Sequence, residues 1–227
     1  MFGPDKIDLT DPSPYLALSY YSHIIIGIVG LVAALVAFAA AKGKTWHIRA
    51  GWTFVAAVAI VAASSFEMLA NVFIPPLFMA VFTAIYAMAG ALLALRKGTA
   101  AVRSAEVGLF VFELAGLFIF FSIALEAVRN GAIPAFGPVV IAIIPLILLG
   151  GDINWFLNGN NRNRLRLARH LNRMVWAFVV VLRAPLVELA AHGLPVPGPV
   201  IIVGPIALGI AMGAYFRWRY VRLQKPA

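Results

Sequence analysis

The 227-residue chain contains no cysteine. That excludes disulfides, thiolate metal sites, thioether-attached haem and a cysteine nucleophile, and it leaves the compartment open. Charge is scarce as well: Asp, Glu, Lys and Arg make up 12% of the residues, with Lys and Arg totalling 18 against 9 acids. A net charge of +9 would point to a nucleic-acid partner if the bases lined one face of a soluble domain. They stand instead in short gaps between apolar runs, so no nucleic-acid partner is expected. Soluble-enzyme signatures are missing too, with no GxSxG elbow, Walker loop, HExxH or Rossmann glycine pattern. Ser64 and Ser65 read as helix-to-helix hydrogen-bonding groups rather than nucleophiles. Whether the chain is an enzyme is left open.

What is present is hydrocarbon. Hydrophobic residues account for 63% of the chain and the mean hydropathy is +0.94, the composition of a membrane protein. The opening stretch "MFGPDKIDLTDPSPY" lacks the basic start and small-residue cleavage site of a signal peptide, so the first apolar segment is expected to stay in the mature protein. Crossing a hydrocarbon core takes about 20 apolar residues, and the runs that qualify lie at roughly 17–41, 50–71, 73–95, 106–128, 134–157, 170–192 and 199–220. Between the second and third, "NVFIPP" places Pro75 and Pro76 where a tight turn must interrupt the helix. The expected fold is all-α: a polytopic integral membrane protein of seven transmembrane helices, multi-pass in the bacterial inner (cytoplasmic) membrane. Residues 1–16 form a short outer segment, 17–220 a single membrane domain and 221–227 a cytoplasmic tail.

Orientation follows from the bases near the span ends. With the N-terminus outside, Lys42, Lys44, Arg49, Arg96, Lys97, Arg103, the arginines of the 162–173 run, Arg217, Arg219, Arg222 and Lys225 all fall inside. Lys6 and Arg129 fall outside and Arg183 within a span. N-out, C-in is therefore expected. Trp46, Trp52, Trp155, Tyr215, Trp218 and Tyr220 at the inner boundary, with Tyr15, Tyr20 and Tyr21 at the outer, read as interface anchors. Gly209 with Gly213, and Gly30 with Ala34, are small-xxx-small pairs that let backbones approach. Pro145, Pro185 and Pro205 lie inside spans, and no internal repeat of the transporter kind is evident.

Ionisable groups inside spans are costly and mark candidate sites. His23, Glu67, Glu126, Glu188 and His192 belong to the outer half, Glu113 and Arg183 lie deeper, and His47, Asp152, His170 and Arg173 sit at the inner boundary. The outer group could make a mixed imidazole and carboxylate metal site, since Glu188 and His192 share a helical face; the alternative pairs Glu188 with Arg183. The inner group carries several readings. His47, which just precedes helix two, with Asp152 and His170 would suit zinc or iron. Two imidazoles from different helices, His47 with His170 and His23 with His192, could instead ligate haem b, although His23 should lie about 9 Å deeper than His192. Arg169 and Arg173 could hold a phosphate or lipid headgroup. The plainest alternative makes all of these helix-capping interface residues, with Asp152 paired to a nearby arginine. Arg162, Arg164 and Arg166, in what reads as the main cytoplasmic loop, need no partner beyond anionic lipid.

The stretch "HIIIGIVGLVAALVAFAAAKGKTWHIRAG", with a histidine entering helix one and a KG…H-x-R-x-G turn into helix two, resembles a group of predicted bacterial membrane proteins, domain-of-unknown-function family 2306. Asp152 at the close of helix five and "RLRLARHLNRM" opening helix six are similar to that group too. The family's adjacent HR pair is here His47 and Arg49 with Ile48 between them. The resemblance implies His23, His47, Asp152, His170 and Arg173 as positions of interest and implies no activity. The functional expectation is a small-ligand, metal or haem-binding protein linked to redox chemistry or to a membrane complex. A structural or accessory subunit packed against a larger membrane complex is the alternative, and a transporter or proton pathway comes third. Membrane lipids, anionic lipid at the inner face included, are the expected partners.

Overall fold

A computed structural model describes residues 10–157, 162–191, 193 and 195–220, without the side chains of Arg164, Ala191 and Pro199. Lys6, His192, Arg222 and Lys225 lie outside the described residues. Seven helices follow one another: α1 (Ala17–Ala39), α2 (Thr45–Asn71), α3 (Pro75–Ala94), α4 (Ala100–Arg129), α5 (Phe136–Leu157), α6 (Arg162–Ala191) and α7 (Gly198–Tyr220). Among the described residues, six are long and apolar enough to cross a membrane, and α6 is the exception. Its apolar stretch carries Arg173, Arg183 and Glu188.

The helix ends follow from local chemistry. Pro75 occupies the first turn of α3, where a missing N–H costs nothing. Thr99 caps α4 by accepting from the Val102 N–H at 3.3 Å. At the other end of α4, Gly131 takes φ +68°, and the N–H groups of Gly131 and Ala132 return to the carbonyls of Val128 and Ala127, a Schellman closure that needs glycine at that position. Lys42 closes α1 with its side chain, donating from Nζ to the carbonyls of Ala37 (2.9 Å) and Phe38 (2.8 Å). The same ammonium sits 4.9 Å from the Phe216 ring centroid and so ties the end of α1 to the end of α7.

Three helix starts differ from expectation. Helix α4 begins at Ala100 rather than near 106. Helix α2 begins at Thr45, so His47 lies within its first turn rather than before it. Helix α6 begins at Arg162, so most of the arginine run is helix and not loop. Leu, Arg and Ala are strong helix formers and nothing in "RNRLRLARHLNRM" breaks a helix; the run's polarity disguised this.

Helices α3 and α6 pack against each other at the centre; α1 pairs with α2, α4 and α5 flank α3, and α7 lies on α6. Of the six apolar spans α3 is the most enclosed and α1 the least. Small residues make the close contacts. A Cβ on Gly30 would stand 3.0 Å from that of Ala57, and one on Gly209 would stand 2.9 Å from Cζ3 of Trp176 and 3.0 Å from a Val179 methyl. The outward faces of α1 and α4 expose Ile25, Ile28, Val32, Leu35, Val111 and Phe118, as a lipid-facing surface requires.

Gly209→Leu is expected to force α7 away from Trp176 and lower the melting temperature in detergent, at the about 1–3 kcal/mol typical of overpacking. Gly108→Leu, where nothing lies within 4 Å of the added Cβ, should leave it unchanged; equal melting of the two variants would refute the close α6–α7 contact.

Candidate functional site

Hydrocarbon gives a buried charge no solvent partner, so each one within the bundle needs an internal counter-group. Asp152, 2% exposed on α5, is the shared partner of three groups, two by ion pairing and one by a hydrogen bond. Its Oδ1 lies 2.9 Å from Arg169 Nη2 and its Oδ2 lies 2.5 Å from Arg173 Nη2. The Tyr86 hydroxyl of α3 donates to Oδ2 at 2.6 Å. Arg173, also 2% exposed, donates from Nη1 to the Tyr86 carbonyl at 2.8 Å, and its guanidinium stacks over the Tyr86 ring at 4.3 Å. Helices α3, α5 and α6 are thereby joined through one carboxylate.

Glycine makes the joint fit. A Cβ on Gly90, one turn after Tyr86 on α3, would stand 2.7 Å from Arg173 Cζ, so the guanidinium lies directly on the α3 backbone. A second pair extends the network toward the helix ends. Arg162 grips Glu106 of α4 in bidentate fashion, Nη1 to Oε2 at 2.7 Å and Nη2 to Oε1 at 2.9 Å, its stem lying against Gly98. Arg162 and Arg169 both stack over the Trp155 ring, at 4.7 and 4.5 Å.

Not every donor is met. Arg169 Nε and Nη1 and Arg162 Nε are buried and have no hydrogen-bond partner among the described residues. The Arg169 side chain is 8% exposed, so these donors are shut away from bulk water. A buried donor left unmet costs about 1–3 kcal/mol. Two guanidiniums also share the single charge of Asp152, so this part of the site carries excess positive charge.

The histidines are placed nearby but differently employed. His47 turns Nδ1 to the Ala37 carbonyl at 3.0 Å and His170 turns Nδ1 to the Ala91 carbonyl at 3.1 Å. A carbonyl can only accept, so both rings carry the proton on Nδ1. The two imidazoles interact electrostatically. The expected His47, Asp152 and His170 metal set is not supported: both Asp152 oxygens are taken by arginine and tyrosine, and among the described residues no group of three His, Asp or Glu side chains is arranged to hold a metal ion. Arg162, expected to need no partner beyond lipid, is paired with Glu106.

The outer group forms no cluster of three arranged to hold a metal ion among the described residues. His23 Nδ1 stands 3.3 Å from Ser64 Oγ and 3.2 Å from Ser65 Oγ. Both serines donate to the Val61 carbonyl, so they accept from the imidazole. Glu67 Oε1 accepts from the Leu16 N–H at 3.3 Å and from Asn71 Nδ2 at 2.6 Å, which holds the start of α1 on the end of α2. Glu126 is exposed on α4, while Arg183 and Glu188 are half-buried on α6. By helical rise Arg183 lies about 15 Å from Arg173 along the axis. His192, expected with this group, lies outside the described residues.

Two cavities lie away from these residues: an apolar groove of about 240 Å³ between α6 and α7, lined by Leu182, Leu186, Ile201 and Pro205, and a small gap between α1 and α2 beside Gly30. No family model, no curated protein and no solved structure matches the chain.

Sequence reasoning missed Tyr86, Gly90, Glu106 and Trp155 as site residues. The signals were present in part: Tyr86 is a lone tyrosine in the middle of an apolar run, with Gly90 one turn later on the same face. Asp152→Asn is expected to leave two buried guanidiniums without their charge partner and to destabilise the protein by about 3–5 kcal/mol. Thermal melting in detergent measures this, and a variant that melts with the wild type would show that Asp152 does not hold the network together.

Proposed function

We propose that this chain is a seven-span protein of the bacterial inner membrane, N-out and C-in, that binds an oxyanion at Arg169 near the cytoplasmic end of α6. The seventh crossing is supported by the length of α6, 30 residues, or about 45 Å by helical rise, and by its central position, which turns its charges toward protein. The orientation is supported by the gathering of Lys42, Arg96, Arg162, Arg217 and Arg219 at one set of helix ends.

The observation that carries the binding reading is the pair of buried Arg169 donors, Nε and Nη1, without an acceptor. Nε–H and Nη1–H lie on different edges of the guanidinium, either side of the Nη2 that meets Asp152, so each is a separate charge-assisted donor to an oxyanion, and such a bond is strongest where water is excluded. The excess positive charge around Asp152 attracts the same ligand. Two sources would present that chemistry at this depth: the headgroup phosphate of an anionic lipid of the inner leaflet, or a free phosphate-type anion from the cytoplasm. His47, Asp152, His170 and Arg173, four of the five positions to which the resemblance to family 2306 draws attention, lie at the same end of the bundle.

Melting the purified protein in sulfate and in chloride at matched ionic strength tests the site, and native mass spectrometry for retained phosphatidylglycerol separates the two sources. Sulfate should raise the melting temperature of the wild type and of Arg166→Gln, an exposed position, but not of Arg169→Gln. Equal melting of the wild type in both salts, with no lipid retained, would sink the reading.

A further inference from the structure

Glu113 of α4 is 0% exposed. By helical rise it lies about 10 Å deeper than Glu106 on the same helix. Thr83 Oγ1 of α3 donates to its Oε1 at 2.7 Å, whereas Oε2 is buried and has no hydrogen-bond partner among the described residues. On the next turn of α4, Gly116 lies against the Phe82 ring, where a Cβ would stand 2.5 Å from Cδ1, so aromatic carbon packs on α4 one turn from Glu113.

The polar surroundings of Glu113 are few. From α3 it meets Thr83. From α6 it feels the charge of Arg173, and Tyr86 of α3 and Asp152 of α5 are in contact with that guanidinium. On its own helix Glu106 is engaged by Arg162. His170 of α6, the nearest other titrating side chain in sequence to Arg173, is tied to the Ala91 carbonyl.

Charge counting decides what this carboxyl can do. The guanidiniums of Arg162, Arg169 and Arg173 face the carboxylates of Glu106 and Asp152, which leaves one positive charge over. An ionised Glu113 cancels that charge and a protonated Glu113 does not. An uncompensated charge in a low-dielectric interior is expensive, so the excess is met either by Glu113 or by an anion.

We propose that Glu113 is a proton-binding site linked to the anion site at Arg169, so that the protein takes up a proton and an oxyanion together. The inference rests on the anion-binding reading above. The step is a protonation only: Oε2 gains a proton from water, Thr83 continues to donate to Oε1, and no other bond changes. Linkage is reciprocal, so the proton on Glu113 tightens anion binding and the bound anion favours the proton. Affinity therefore rises as pH falls and is lost as Glu113 ionises.

Sulfate is the suitable probe because its own charge stays constant across the neutral range. Titration calorimetry on the purified full-length protein should show sulfate affinity rising toward low pH, by at most about tenfold per pH unit for one coupled proton. Glu113→Gln keeps an oxygen for Thr83 and is permanently neutral. It should bind at high pH as tightly as the wild type binds at low pH, with no remaining slope. A second measurement needs no variant: sulfate added to the weakly buffered wild type should draw protons from solution, up to one for each anion bound. Sulfate binding with the same slope in Glu113→Gln would assign the proton to another group, such as His170, and overturn the linkage while the anion site stood. Binding to the wild type without proton uptake would overturn it likewise. No sulfate binding to the wild type at any pH would remove the anion site and the linkage together.

Discussion

The arrangement of α3, α5 and α6 depends on the Asp152 carboxylate. Arginines buried in a bundle of membrane-length helices must meet acceptors inside it, because lipid tails supply none. Arg169 and Arg173 lie four apart on one face of α6 and so reach the same neighbour. Asp152 meets them from α5, and Tyr86 completes the joint from α3. Helix α6 carries Arg169, Arg173, Arg183 and Glu188, and α3, α7, α1 and α5 pack on it.

Room for that joint comes from residues without side chains. Gly90 lets the Arg173 guanidinium lie on the α3 backbone, and Gly98 lets the Arg162 stem pass. The same device recurs at apolar contacts, where Gly30 meets Ala57 and Gly209 meets Trp176. In a bilayer, where helix association has no hydrophobic drive, close backbone approach and satisfied polar groups are what hold helices together. The buried arginines thus act in packing and in electrostatics at once. The donors they leave unmet are the reason this end of the bundle reads as a binding site.

Much of the fold was legible in the sequence. The apolar runs match all seven helices to within a few residues at most ends, and "NVFIPP" marked the break before α3. The starts of α2, α4 and α6 were misjudged because hydropathy locates the hydrocarbon span and not the helix, and all three helices run on into polar residues. The candidate site was legible in outline. Asp152, Arg169, Arg173, His47 and His170 were all singled out, as competing metal, haem and anion sets, and the plain alternative of Asp152 paired to a nearby arginine is the one the structure shows. Depth along a span says which residues share a level; it does not say which face one another. That is why the Arg162–Glu106 pair was missed and why His47 and His170 turned out to address backbone carbonyls.

Sequence alone determined that this chain is a bundle of membrane-length helices, because hydrophobic length and the spacing of charge are properties of the chain read in order. Only the tertiary structure decided which arginine meets which carboxylate. Pairing depends on helix rotation and on gaps left by single glycines, and neither is written in any local pattern. It also decided that two Arg169 donors and one Glu113 oxygen remain unmet within the bundle. That surplus is a sum over four helices, and no one of them reveals it.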